Sequence, residues 1–282
     1  MSVVSSSVAS PPARFRSPRA SVVKTLIYVF SGIVIVYVLA PVVMLFLASV
    51  GLDSASGFNA ERLTFDAYGD IPGRLIEAAG ISIALAAATT AGALLIGVPA
   101  AFAIRGSSAA VGANLYAWFR LPIIVPQVVI GLALYQMLTL TPVGVQLVQE
   151  TFLGMWFGHL VICTPYVISV VSTSIAGVKD SMFEASSVLG ASRLRTYCFV
   201  ILPLLRPAIF ASGFFAFLIS FDNVPISLFL AGAGTSTLPV ELYFSVTLDL
   251  RPYIFAISTL IAVFALIASA AWGRMVGFRA LA

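Results

Sequence analysis

Asp222 is the one charged side chain set deep inside an apolar run of this 282-residue chain. A carboxylate at membrane depth costs about 2.5–3.5 kcal/mol on insertion scales, so it must face a cavity or a partner rather than lipid. Three roles are open to it: meeting a cation in passage, capping a broken helix, or pairing with a second subunit. Asn223 follows it, and Pro225 comes three residues later, where proline removes a helix hydrogen bond. Freed carbonyls beside Asp222 and Asn223 predict a polar break within the run, and irregular backbone at that depth is tolerated where it lines a cavity. Tyr135, Gln136 and Tyr166, also in apolar runs, are the further candidates for lining that cavity.

Other chemistry is excluded by counting. His159 is the only histidine, and Cys163 and Cys198 are the only cysteines, one in an apolar run and one in a polar loop. No metal spacing exists, a disulfide is not expected, and nothing pairs with His159 for acid–base work. There is no Gly-x-Ser-x-Gly and no His–Glu pair on a span, so no catalytic residues are expected. His159, beside Leu160, reads as a packed or interface histidine.

A second group of residues has a mechanical pattern. Ser181-Met182-Phe183-Glu184 fits a capping box, in which the serine oxygen accepts from the Glu184 N–H and the carboxylate reaches back. A short helix is predicted over 182–189. Gly190 is suited to end it, since glycine takes the left-handed conformation without a Cβ penalty. Ser192 can cap a second short helix over 193–201, and Pro203 and Pro207 interrupt the chain before the next apolar run. Met182, Phe183, Ala185, Ser186 and Leu189 would form an apolar, small-residue knob on the water side. A knob of this kind fits a socket in a partner or lies on lipid headgroups.

Composition sets the frame for both groups. The chain is 60% hydrophobic and 9% charged, with mean hydropathy +1.07, against roughly 25% charged residues in soluble domains. Six apolar runs, about 26–50, 78–104, 119–140, 152–177, 207–232 and 253–273, have the roughly 17–25 residues of a membrane helix. The first is longer than a signal h-region and reads as an uncleaved helix. The pI near 9.3 does not point to nucleic acid, because the basic residues sit at the ends of the runs. With the N-terminus inside, twelve of the fifteen Lys and Arg residues fall on the inner side and eight of the eleven acids on the outer. This bias predicts cytoplasmic termini. The expected organisation is a flexible cytoplasmic tail (1–24), a first helix with its outer loop (25–76), a core of spans (77–275) holding the cytoplasmic loop 178–206, and a cytoplasmic C-terminus (276–282). The acidic outer loop 51–73 could be a binding lip for a soluble partner or a plain solvated loop. The Ala- and Gly-rich second run predicts close helix packing, and Pro122, Pro126, Pro165 and Pro225 predict kinks.

The loop resembles the "EAA" loop of type I ABC importer permeases. Their consensus is Glu-Ala-Ala, three residues, Gly, nine residues, Ile, one residue, Leu-Pro. Here it reads Glu184-Ala185-Ser186, three residues, Gly190, nine residues, Val200, one residue, Leu202-Pro203, with Ser186 and Val200 as conservative departures. The resemblance covers roughly 70–275. It implies an all-α membrane protein of six transmembrane helices, a multi-pass component of the bacterial inner membrane. Residues 182–189 would form a coupling helix seated in a groove of an ATPase, with Glu184 pairing a basic residue there and Gly190 setting the turn. The implied partners are an ABC ATPase dimer that binds ATP and Mg, a homologous second permease and a periplasmic substrate-binding protein; this chain itself would bind no cofactor. Leu121-Pro122-Ile123-Ile124-Val125-Pro126-Gln127-Val128-Val129-Ile130-Gly131, Cys163-Thr164-Pro165-Tyr166 and the stretch 220–227 with Leu238-Pro239-Val240 resemble the C-type permeases of spermidine/putrescine importers. Many of those carry two acids in a row where this chain has Asp222-Asn223, which leaves an opine or other small metabolite open as cargo. A stand-alone secondary transporter is the reading of a different class; no obvious inverted repeat supports it.

Overall fold

The computed structural model describes residues 18–51, 63–140, 151–232, 234–248 and 250–276, and every regular element among them is helical. The first helix, α1 (Pro18–Ser49), starts inside the stretch expected to be a tail; the fixed φ and missing N–H of proline suit a first helical turn. None of its most apolar window is buried within the chain. It is tied on near its far end, where Thr259 donates to the Leu45 carbonyl at 3.4 Å and Ser49 meets the Tyr68 hydroxyl at 2.8 Å. Tyr68 lies in α2 (Asp66–Gly69), a single turn. Of the acidic outer loop, positions 52–62 lie outside the described residues.

The core is α3 (Gly73–Gly106) against α6 (Phe152–Ala176). No hydrophobic effect drives helices together in lipid, so close contact depends on small residues. Ala86, Ala93 and Ala101 are completely buried. A Cβ at Gly92 would lie 2.8 Å from Leu160, and one at Gly97 would lie 2.7 Å from Val167. The small-residue face expected of the second run is therefore the main seam. Pro165 sits inside α6 without ending it.

The third run bends at Pro126, as expected, but far more sharply than a kink, and it does not break at Pro122. Instead of one helix over 119–140 it forms α4 (Ala109–Ile124) and α5 (Gln127–Thr139), bent by 97° at Val125 and Pro126. Val125 and Pro126 are both extended (ψ 132° and 129°), as the residue before a proline prefers. Pro122 is held within α4, so the break belongs to Pro126 alone.

The loop elements are α7 (Asp180–Val188), α8 (Arg193–Thr196), a π-helical stretch (Tyr197–Ile201) and α9 (Leu202–Leu204). The run Arg193–Leu204 then turns by 72° into α10 (Arg206–Phe221). The fifth run breaks again at 222–224, and Pro225 opens α11 (Pro225–Leu230) from its first turn. The polar interruption at Asp222 is thus present, with proline starting a new half-helix rather than kinking an old one. Next, α12 (Leu238–Leu248) lies between the fifth and sixth apolar runs; its 11 residues are too few to span a bilayer. Its Leu238 N–H donates to Ser82 at 2.8 Å, and Arg74 donates to Glu241 at 2.5 Å and to Ser245 at 3.3 Å. The last span is α13 (Pro252–Val276). Among the described residues four helices are long and apolar enough to cross a membrane, and counting each bent pair as one span brings the number to six.

Candidate functional site

The coupling loop is built on the end of α3. Arg105, in the last turn of that helix, forms an ion pair with Asp180 in the first turn of α7. An acid there also complements the positive end of the helix dipole. The Arg105 guanidinium lies 5.4 Å from the centre of the Phe183 ring, a cation–π contact. Phe183 in turn meets Tyr197 edge-on at 5.9 Å, and Tyr197 stacks on Phe102 at 4.8 Å. Together these side chains seat α7 on the bundle, and Arg105, Asp180, Phe183 and Tyr197 line a cavity of about 520 Å³ with Glu184 and Arg193.

This seating corrects two expectations. The helix runs over Asp180–Val188 rather than 182–189, and its N-cap is Lys179, so the capping box at Ser181 does not form. The Arg105–Asp180 pair draws the start of the helix earlier. Phe183 and Ser186 do not belong to the exposed knob: Phe183 is half-buried against the core, and Ser186 is buried with its hydroxyl bonded to the Met182 carbonyl at 2.8 Å. Met182, Glu184, Ala185 and Leu189 do face outward, joined by Val188 and Leu194, with Val188 87% and Leu189 86% exposed.

The turn after α7 forms as the glycine predicted. Gly190 has φ 77°. Its N–H donates to the Ser187 carbonyl, and the Ala191 N–H donates to the Ser186 carbonyl, each at 3.0 Å. This pair of bonds is the Schellman arrangement that closes a helix through a left-handed residue. Ser192 then accepts from the Arg195 N–H at 3.4 Å, capping α8 as expected. Leu202 and Pro203 follow, both half-buried, in α9.

The second candidate site is the break in the fifth run. Asp222 is exposed and, among the described residues, its carboxylate has no hydrogen-bond or ion-pair partner. It lines a cavity of about 520 Å³ with Gln127, Asn223, Pro225 and, from α13, Ile261 and Phe264. Asn223 is buried and hydrogen-bonded at both ends of its amide. Its Oδ1 accepts from the Ile226 N–H at 2.9 Å, capping α11, and its Nδ2 donates to Gln127 Oε1 at 2.7 Å. Gln127 is the first residue of α5, so the two broken spans meet through side chains at their breaks. Tyr135 and Gln136 are exposed farther along α5, and Tyr166 is half-buried on α6; none of the three lines the Asp222 cavity. Gln127 was not singled out by sequence reasoning, although a glutamine directly after a proline in an apolar run was the signal available.

His159 is completely buried, as a packed histidine should be. Its Nδ1 is 2.7 Å from the Ser220 hydroxyl and its Nε2 is 3.0 Å from that of Ser227. Half-helix α11 is pressed between two glycines. A Cβ at Gly158 would lie 2.5 Å from Leu230 and 2.6 Å from Ile226, and one at Gly131 would lie 2.7 Å from Phe229.

A bundle with two broken spans meeting at a largely apolar cavity that holds Asp222, Asn223 and Gln127, carrying a braced helix–glycine–helix loop between spans, fits the membrane component of an importer. The family described as binding-protein-dependent transport system inner membrane component matches residues 93–279, and the chain belongs to it. Among curated relatives it is 31% identical over 189 residues to the putrescine transport system permease protein PotI of Escherichia coli (strain K12), covering 66% of this chain and 67% of that protein. It is 28% identical over 245 residues to the spermidine/putrescine transport system permease protein PotC of the same strain, covering 84% and 89%. Among solved structures, a chain of a bacterial ABC transporter involved in import of the acidic polysaccharide alginate superposes with a TM-score of 0.69 at 15% identity, covering 93% of this chain and 99% of that one. A chain of the methionine ABC transporter MetNI, in an inward-facing form, gives a TM-score of 0.59 at 16% identity, covering 72% and 94%. These two likenesses establish the fold. The chain is a multi-pass inner-membrane component.

Proposed function

We propose that this chain forms half of the translocation pathway of an ATP-driven importer, and that its cargo is a small organic cation of the polyamine class. The observation that carries the reading is the unpartnered Asp222 carboxylate in a cavity where two broken spans meet. An unpaired carboxylate in that cavity provides a place for an ammonium group. The names of the relatives PotI and PotC support putrescine or spermidine. Because Asn223 is occupied in capping α11 and holding Gln127, the cavity offers a single free carboxylate at this break. That favours keeping a cargo with one critical cationic group, such as an opine or another small metabolite, as the second reading.

In this reading α7 is cytoplasmic and seats in an ATPase that binds ATP and Mg. The exposed Met182, Ala185, Val188 and Leu189 make the contact, and Glu184 pairs with a basic residue of the ATPase. A second, homologous permease completes the pathway, and a periplasmic binding protein delivers cargo to the outer face. The positive-inside bias of the sequence supports this orientation.

The test is uptake of labelled putrescine and spermidine in the native host, comparing wild type, a deletion of this chain, and the deletion complemented with wild type or Glu184→Ala. Uptake should vanish on deletion, return with wild type, and stay at least tenfold down with Glu184→Ala. Wild-type uptake in the deletion strain would overturn the polyamine reading. At the cavity, Asp222→Asn should reduce uptake at least tenfold while Asp222→Glu retains a measurable fraction. Equal tolerance of both would assign Asp222 a capping or packing role instead.

A further inference from the structure

We propose that His159 is the positioning residue of the broken fifth span: by holding Ser220 on one side of the break and Ser227 on the other, it fixes the arc of residues 220–227 and so sets where Asp222 presents its carboxylate. The functional consequence rests on the pathway reading given above. The structural claim stands apart from the identity of the cargo.

A chain that breaks inside the apolar layer has two helix ends and a linking segment free to rearrange unless something outside the break holds both sides. Here α10 ends at Phe221 and α11 begins at Pro225. Ser220 is in the last turn of the first and Ser227 in the first turn of the second, and both are buried. A single imidazole from α6 reaches both hydroxyls, at 2.7 and 3.0 Å. Few side chains could replace it. The two ring nitrogens point away from one another, and in the neutral ring one donates while the other accepts, so one serine accepts a hydrogen bond and the other gives one. A carboxamide has its donor and acceptor side by side at the end of a flexible stem. A leucine would fill the space and leave two buried hydroxyls without this partner.

The neighbouring residues serve the same end. Gly158, immediately before His159, lets Leu230 and Ile226 approach α6 closely enough for the ring to reach Ser227. On the opposite side Asn223 is tied to Gln127 of α5. The arc is therefore held from α6 at its two ends and from α5 near its middle, and Asp222, adjacent to Asn223, is left as the free acid between those ties. The break is a fixed corner of the bundle and not a joint.

The experiment places a reporter thiol at the acid. The full chain with its transporter partners carries Asp222→Cys and Cys163→Ala, keeping the native exposed Cys198 as an internal reference, and is labelled in membrane vesicles with a small cationic methanethiosulfonate. Labelling at each cysteine is read by peptide mass spectrometry, and no cargo is needed. His159→Leu should change the rate at Asp222→Cys at least fivefold with Cys198 unaltered. Ser220→Ala and Ser227→Ala should each move it the same way, and neither should add to the His159→Leu change. An unchanged rate at Asp222→Cys, an equal change at both cysteines, or serine effects that simply add to that of His159→Leu would each overturn the proposal. Should His159→Leu fail to accumulate, the two serine variants decide: a shift confined to Asp222→Cys in both supports it, and no shift in either overturns it. In chains with the native Asp222, Ser227→Ala should raise the apparent KM for uptake more than it lowers the maximal rate.

Discussion

Replacing Gly158 by leucine should abolish transport and lower the amount of chain recovered from the membrane by more than half. Even a Cβ at this position lies 2.5 Å from Leu230 and 2.6 Å from Ile226, which are themselves buried at 2% and 0% exposure, and a leucine carries three further carbons into the same contact. Overpacking a well-filled core costs about 1–3 kcal/mol, and α11 cannot retreat, because its other face meets Gly131 through Phe229 and the Pro225 carbonyl. The half-helix that closes the Asp222 cavity would have to leave its place. Gly32→Leu in α1, where nothing lies within 4 Å of the added Cβ, should leave both quantities at wild-type level. Quantitative immunoblotting of membranes alongside uptake checks both variants; full uptake by Gly158→Leu would show that α11 is not fixed where the cavity needs it.

Gly190→Val should leave the protein inserted in normal amount but reduce ATP-driven uptake at least tenfold. No atom lies within 4 Å of a Cβ built at this residue, so there is no clash; the difficulty is the backbone. Left-handed φ costs an ordinary L-residue about 1–2 kcal/mol, and a β-branched side chain is among the least suited to it. Relaxing φ would break the two bonds from Gly190 and Ala191 that end α7 and redirect Leu189 and the start of α8. Gly190→Asn is the discriminating partner, since asparagine takes this conformation more readily; it should retain most of the uptake. If valine and asparagine behave alike, the left-handed turn is not what the loop requires.

Much of the architecture was visible in the residues because it depends on local rules. The spacing from Glu184 to Pro203 marked the loop, Gly190 and Ser192 marked its turn and second cap, and Ala and Gly in the second run marked the seam with α6. What escaped depends on contacts made at a distance. The start of α7 moved to Asp180 because Arg105, 75 residues away, pairs with it. The corner at Val125 and Pro126 was legible only as a kink at Pro126; the proline marked its place, but neither hydropathy nor residue type sets its 97° angle. Helix α12 is too short and too apolar to separate from its connections by composition, and it is held by Ser82 and Arg74 from a different part of the chain. Asp222, Asn223 and the break were legible from residue type alone. Gln127 and the serines of His159 were not, because their significance lies in partners 61 to 96 residues away.

The two ends of α3 acquire a joint meaning from its length. Its 34 residues at about 1.5 Å each make a strut about 51 Å long. One end grips α7 through Arg105, and the other grips α12 through Arg74. Its one internal proline, Pro99, lies within two turns of the α7 end, and most of the strut runs uninterrupted beyond it. Load applied at the seat of α7 is therefore borne by a single stiff member that emerges on the opposite face, so a tilt at either end is a tilt of both.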